Sequence, residues 1–168
     1  MEDPGRPPII LRPIGVICSP HRTPAGTPIQ PAYADEAEGE VVVDEPFERA
    51  LDDIEGFERV WLVYWFDRAG PFAPHVVPYR DTREHGVFAT RAPNRPNPIG
   101  LSVVRLLGRD GRVLHVSGID VLDGTPLLDI KPYVAEFDAH PVSKAGWLDD
   151  RREDRRVADD RFHGAGKT

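Results

Sequence analysis

Hydrophobic positions along this chain come in short bursts separated by proline and glycine, rather than in long amphipathic stripes. Residues 9–18 (IILRPIGVIC) are rich in β-branched side chains and read as a first strand, bounded by Pro8 and Ser19-Pro20. Residues 40–44 (EVVVD) predict a second. Between 46 and 54, Phe47, Ala50, Leu51 and Ile54 fall at helical spacing behind Pro46, with Gly56 as a stop, and predict a helix of about two turns. Residues 59–66 (RVWLVYWF) are apolar on both faces and suit a central strand of a covered or closed sheet. Residues 86–90 predict another strand. Runs at 99–107 and 113–121 flank Asp110-Gly111, a strong type I′ hairpin signal, and 127–130 gives a last strand. Short, closely spaced strands with one or two short helices predict a mostly β fold, a small antiparallel barrel over residues 9–140.

The rest of the chain is punctuation. Pro20, Pro24, Pro28 and Pro31 make 19–33 an extended loop, and 67–85, with Pro71, Pro74 and Pro78, is long enough to suggest function. Residues 1–8 read as a flexible N-terminus and 141–168 as a charged, partly disordered extension. Its last ten residues are expected to be a frayed tail.

Composition narrows the function classes. The chain has 168 residues with 18 prolines and 15 glycines, and 40% hydrophobic content is enough for a core. No run reaches the length of a membrane span, and the N-terminus does not read as a signal peptide. Cys18 is the single cysteine, so an internal disulfide is excluded and a small core residue expected. These features point to a cytoplasmic domain. The net charge of −7 argues against a generic nucleic-acid binder, but the charge is segregated. Residues 35–58 hold eleven acidic side chains against Arg49, whereas 68–112 hold eight arginines against Asp81, Glu84 and Asp110. The arginine-rich segment suits an anionic ligand; arginines decorating solvated strand faces are the plainer alternative.

Several familiar chemistries are absent. Gly164 to Thr168 looks like the end of a phosphate loop, but Arg161 stands where its first glycine belongs. No Gly-x-Gly-x-x-Gly follows a strand. The six histidines form no metal-type pair, so no metal is expected. Ser102 lacks a nucleophile frame.

Two segments carry more. In 86–101 (GVFATRAPNRPNPIGL), Pro93, Pro96 and Pro98 stiffen a connection that holds Arg91, Asn94, Arg95 and Asn97 at set spacing. Guanidinium and amide groups of this kind suit phosphate, carboxylate or base edges. The alternative is a structural crossover whose arginines bind carbonyls within the protein. In 118–133 (GIDVLDGTPLLDIKPY), Asp129 and Lys131 share a strand face and read as an ion pair. Asp120 and Asp123 are better candidates for ligand hydroxyls or an amine, although Asp123 could simply shape its turn.

The stretches GVFATRAPNRPNPIGL and DGTPLLDIKPY, with Ile14 to Ile17, Ser19-Pro20, Gly56-Phe57 and the strand from Trp61 to Phe66, resemble the TsaA-like family of S-adenosylmethionine-dependent methyltransferases. The resemblance covers about three quarters of the chain. It implies a dimeric β-barrel that binds S-adenosylmethionine outside the Rossmann class and N6-methylates threonylcarbamoyladenosine beside the tRNA anticodon. The cofactor contacts it implies fall on Pro28, Ile29 and Gln30, on Phe66 and Asp67, on Arg91 and Leu101, and on the turn Asp123, Gly124, Thr125 and Pro126. The family usually has arginine at the position of Ile29 and often histidine at that of Asp67, so this pocket is less positive. Longer members carry a further C-terminal domain without counterpart in these 168 residues.

A sulfonium is a cation, which aromatic faces and carboxylates favour. Alternation sets Tyr64 and Phe66 on one face and Trp65 on the other. Arg91 suits the cofactor's carboxylate and Asp123 its ribose or amine. Asp120 is the candidate base for the acceptor nitrogen, and Asn94, Arg95 and Asn97 the candidate substrate contacts. A non-catalytic S-adenosylmethionine or nucleotide sensor, reporting through its dimer partner, is the alternative from another class. A purely structural dimer module is a third.

Overall fold

The computed structural model describes residues 7–34 and 37–163. Most of the expected flexible N-terminus and the glycine-lysine-threonine end of the chain therefore lie outside the described residues.

Six strands close a barrel: β1 (Gly15–Cys18), β2 (Glu38–Val43), β3 (Arg59–Trp65), β6 (Ile99–Asp110), β7 (Val113–Ser117) and β8 (Thr125–Pro132), in the order β1-β2-β7-β6-β3-β8 and back to β1. Every pairing is antiparallel, and closure leaves no sheet edge open. Two further short strands, β4 (His75–Val76) and β5 (His85–Gly86), pair within the long connection between β3 and β6.

Alternation builds the interior. Ile17, Val41, Val60, Leu62, Val104, Leu114, Val116 and Leu127 point inward and are fully buried, with Ile119 plugging one end. β3 alternates buried and half-buried positions, so the aromatic run has one core face.

Several local expectations change. The first strand starts only at Gly15; residues 7–13 are exposed, and Ile14 leads into the strand against the edge of the core. Residues 86–90 form no strand of their own: Gly86 ends β5 and Val87–Ala89 make a 3₁₀ turn. The segment predicted as an α-helix is two 3₁₀ pieces, Glu45–Leu51 and Ile54–Gly56, broken at Asp53, whose φ is 68°. Leu51 alone is buried there and Phe47 is exposed, while Glu48 and Asp52 would repel across a helical turn. The hairpin turn is Gly111-Arg112, and Gly111 (φ 56°) is its only positive-φ residue, the type II′ pattern instead of type I′. The α-helix of the described residues is one turn, Ala135–Asp138 (α1).

The C-terminal segment folds back. Residues 156–158 run against the proline-rich loop, with Pro28 bridged to Val157 and the Ile29 amide donating to the Arg156 carbonyl at 3.0 Å. Further on, Ala69 is bridged to His163, and Phe162 is buried against Val76, Val87 and Ala92. The expected fraying is thus corrected for residues 159–163: an aromatic anchor holds them, and the remaining five lie outside the described residues.

Candidate functional site

The C-terminal ends of β1 and β3 and the N-terminal ends of β6 and β8 meet at one end of the barrel. There a cleft of about 330 Å³ opens between the proline-rich loop, the β3–β6 connection and the folded-back C-terminal segment. Of the residues predicted for cofactor, Pro28, Ile29, Gln30, Phe66, Asp67, Arg91, Leu101 and Thr125 line it, as do Asp120 and Arg95.

Its floor is polar where a barrel should be apolar. Asp120 faces the cleft just after β7 and accepts a 2.5 Å hydrogen bond from the Ser102 hydroxyl. The Tyr64 hydroxyl lies 3.0 Å from Ser102 Oγ. With Asp120 ionised, the chain runs in one sense: Tyr64 donates to Ser102, and Ser102 donates to the carboxylate. The geometry requires a glycine. Register sets Tyr64 opposite Gly100, and a Cβ there would lie 2.1 Å from the Tyr64 ring. Desolvation pushes the Asp120 carboxyl up to about 7, against the opposing pull of Ser102, its own backbone amide and Arg91. Burial also raises the Tyr64 phenol, so it stays a neutral donor.

Arg91 stands on the opposite wall and donates to Gln30 Oε1 at 2.5 Å, which ties the stiff loop to the proline-rich one. Asp67 pairs with its neighbour Arg68 at 3.3 Å. Arg68 also donates to the Asp123 carbonyl at 2.8 Å and to Thr125 Oγ1 at 3.2 Å, so it pins the Asp-Gly-Thr-Pro turn. Phe66 meets Tyr64 edge to face at 5.2 Å, and Trp65 points away from the cleft, as alternation predicts. Ala158 and His163 complete the wall from the C-terminal segment. Burial holds the His163 imidazole below its ordinary value, which favours the neutral ring.

Other predicted residues sit elsewhere. The Asp123 carboxylate accepts the Ser19 amide at 3.0 Å and pairs with Arg22, so it clamps the loop after β1 onto its turn; with Gly124 and Pro126 it lies outside the cleft lining. Asn94 is buried and donates to the Pro71 carbonyl at 3.1 Å, while Asn97 is exposed outside the lining. Arg95 borders the cleft, but its Nη1 reaches the carbonyls of Val87 (3.0 Å), Thr90 (3.0 Å) and Ala92 (3.3 Å). The inward brace describes Arg95 and Asn94 better than an outward display does. Lys131 and Asp129 form the expected ion pair at 2.8 Å.

Sequence reasoning passed over Arg68, Thr90, Ala158 and His163, and weighed Ser102 only as a nucleophile. Ser102 had a signal, a polar residue at an inward position of an alternating strand; the others arrive by long-range folding alone.

The cleft thus brings together the Arg91 guanidinium and the Gln30 amide, the Asp67 and Asp120 carboxylates, and the rings of Tyr64 and Phe66. Residues 16–139 match the family described as tRNA-methyltransferase O N-terminal domain. The chain belongs to that family. It is 52% identical over 141 residues to a Pyrococcus abyssi protein named "Probable S-adenosyl-L-methionine-binding protein", covering 84% of this chain and 77% of the relative. It is 36% identical over 139 residues to the mouse (Mus musculus) tRNA (adenine(37)-N6)-methyltransferase, covering 78% of this chain and 32% of that one. The crystal structure of TrmO from Pseudomonas aeruginosa superposes with a TM-score of 0.70 at 42% identity, covering 83% of this chain and 62% of the other. The family domain is thus nearly all of this barrel, while the chain spans less than two thirds of the solved TrmO and about a third of the mouse enzyme. The family match ends at residue 139, so the wall built from Ala158 and His163 lies beyond it.

Proposed function

We propose that this protein binds S-adenosylmethionine in the cleft and methylates N6 of threonylcarbamoyladenosine beside a tRNA anticodon. The carrying observation is Asp120, a carboxylate tuned near neutrality on the cleft floor and aimed inward by Ser102. The named activities of the relatives support the reaction class.

The residues present fit the donor. Arg91 and Gln30 would hold its carboxylate end, Asp67 and Asp120 lie where a cation is favoured, and Phe66 gives an aromatic face. When bound, it supplies a methyl group on a sulfonium, an electrophile that needs no further activation. The protein supplies alignment and a place for the proton. Walls stiffened by Pro28, Pro93 and the Arg91–Gln30 bond restrict the reactants to one approach line. Asp120 takes the proton that N6 must lose, and a pKa near 7 leaves a large ionised fraction at neutral pH.

In this reading the protein works in the cytoplasm, where tRNA is modified, and as a homodimer; Phe72 and Phe88, exposed on the connection between β3 and β6, offer apolar surface for a subunit contact. None of the described helices is long and apolar enough to cross a membrane, and no group of three metal-ligating side chains occurs among the described residues.

The test compares modified nucleosides in tRNA from cells with and without the gene, by mass spectrometry. N6-methyl-threonylcarbamoyladenosine should disappear without it; an unchanged level would overturn the tRNA assignment. In purified protein, Asp120→Asn should lower kcat by about 100-fold or more while S-adenosylmethionine still binds.

A further inference from the structure

The outer face of β3 and β6 carries a second groove, of about 750 Å³. Alternation sends Val60, Leu62, Ser102 and Val104 into the barrel, and sends Arg59, Trp61, Leu101, Val103 and Arg105 outward. Register sets Arg59 directly opposite Arg105 and Trp61 opposite Val103. Like charges facing each other across two strands repel. No carboxylate among the described residues comes within ion-pair distance of either guanidinium. The groove's lining holds three arginines, Arg59, Arg91 and Arg105, and no acidic side chain among the described residues, in a chain of net charge −7.

Aromatic rings accompany the charge. Trp61 lies 6.0 Å from Tyr133, both line the groove, and Tyr33 closes its far side. Gln30, Trp61, Arg91 and Leu101 line both this groove and the cleft, so the two are continuous. Unpaired Arg59 and Arg105 beside the half-buried rings of Trp61 and Tyr133 suit single-stranded nucleic acid, whose phosphates meet guanidinium groups and whose bases stack on rings. A second copy of this chain fits less well. A two-fold contact centred here would set arginines against arginines.

We propose that this groove seats the single-stranded RNA flanking the nucleotide held in the cleft, with Arg59 and Arg105 on phosphates and Trp61 and Tyr133 against bases. The inference rests on the RNA reading above and adds a binding path outside the catalytic cleft. It also reconciles an acidic protein with an anionic partner, since the attraction is confined to one face.

The test measures tRNA binding by fluorescence anisotropy across a salt series, for the wild type and for a double variant, Arg59→Glu with Arg105→Glu. Both side chains are exposed and unpaired, so the barrel should persist; circular dichroism checks this, and Arg59→Gln with Arg105→Gln replaces the pair if it does not. Affinity should fall by about tenfold or more, and the slope of log K against log salt should flatten by about 1.4, for two single-strand phosphate contacts of about 0.7 each. S-adenosylmethionine binding, by calorimetry, should be unchanged. An unchanged tRNA affinity and slope would overturn the proposal. So would a variant that loses only its dimer, since the groove would then be a subunit contact. Failure of the two readings is separable. If the wild type binds tRNA through these arginines but methylates none, the methyltransferase reading falls and the groove stands. If the variant methylates tRNA with a wild-type KM, the groove alone falls.

Discussion

A serine among Leu62, Val104 and Leu114 is a polar atom in a place that demands a partner, and Ser102 has two. Its hydroxyl holds the ionised form of Asp120, so deleting it should raise that carboxyl further. We expect Ser102→Ala to move the acid limb of the pH–rate profile upward by about one unit, with the high-pH kcat largely kept. A pH–kcat series on the two proteins measures this; an unmoved limb would mean the bond is merely structural. Tyr64 acts one step further out, and its ring lies where a side chain at 100 would be. Gly100→Ala should therefore cost about 1–3 kcal/mol in urea unfolding, because ring and backbone must both shift.

Among the elements, the barrel strands supply the floor of the site and the loops build its walls. The 86–98 connection is rigid for two reasons, its prolines and the Arg95 guanidinium that gathers three carbonyls. Asp81 secures the preceding turn: it is buried and accepts His85 Nε2 at 2.9 Å and the Thr82 amide at 2.6 Å, and the His85 bond holds its carboxyl below the usual range. The C-terminal segment has one aromatic anchor. It is held by Phe162, by backbone bonds to Gly26, Thr27, Ile29 and Gly70, and by polar contacts of Asp154, Asp159 and Arg161 with Arg80, Tyr79, Val77 and Pro78. Phe162→Ala should release it locally without unfolding the barrel, since its cluster is separate from the barrel core. Hydrogen exchange should then quicken at Gly26, Ile29 and Gly70, with cofactor affinity falling by about tenfold as the wall of Ala158 and His163 opens. Unchanged exchange at those amides would count against this anchoring.

For the whole molecule, the carboxylate that suits chemistry opposes folding. The pKa of Asp120 is near 7 in the folded state against an ordinary value of 3.8, so the folded protein binds more protons between those limits. Its contribution therefore favours folding at low pH and is lost as pH rises through about 7. Asp120→Asn removes the titration. The variant should match the wild type most closely near pH 4 and exceed its Tm by a few degrees at pH 8, even as turnover falls. Thermal melts at the two pH values check this, and a gain independent of pH would argue against the carboxylate as its cause. Stability and activity trade against each other at this one residue.

How much of this was legible in the sequence differs by kind of interaction. Short apolar runs and the turns that bound them need only neighbours along the chain, so β3, β6 and β8 could be read with small errors at their ends. Period-two alternation within β3 assigned Tyr64 and Phe66 to one face and Trp65 to the other. Charge segregation and the stiffness of the Pro93–Pro98 loop are likewise local properties. The helix at 46–54 failed because its spacing was right while its burial was not: Leu51 is buried and Ile54 packs at the core's edge, but Phe47 is exposed, and burial depends on what packs above. Closure of the barrel, the joining of Gln30 to Arg91 and the return of Phe162 all span dozens of residues, and only the tertiary structure decides them. Arg95 and Asp123 show the same limit, since their residue types suited a ligand and the fold turned them to internal partners. Composition and spacing thus determined which chemical groups were available and on which strand faces. Folding alone determined which of them stand within a few ångströms of one another, and so which remain free to meet a ligand.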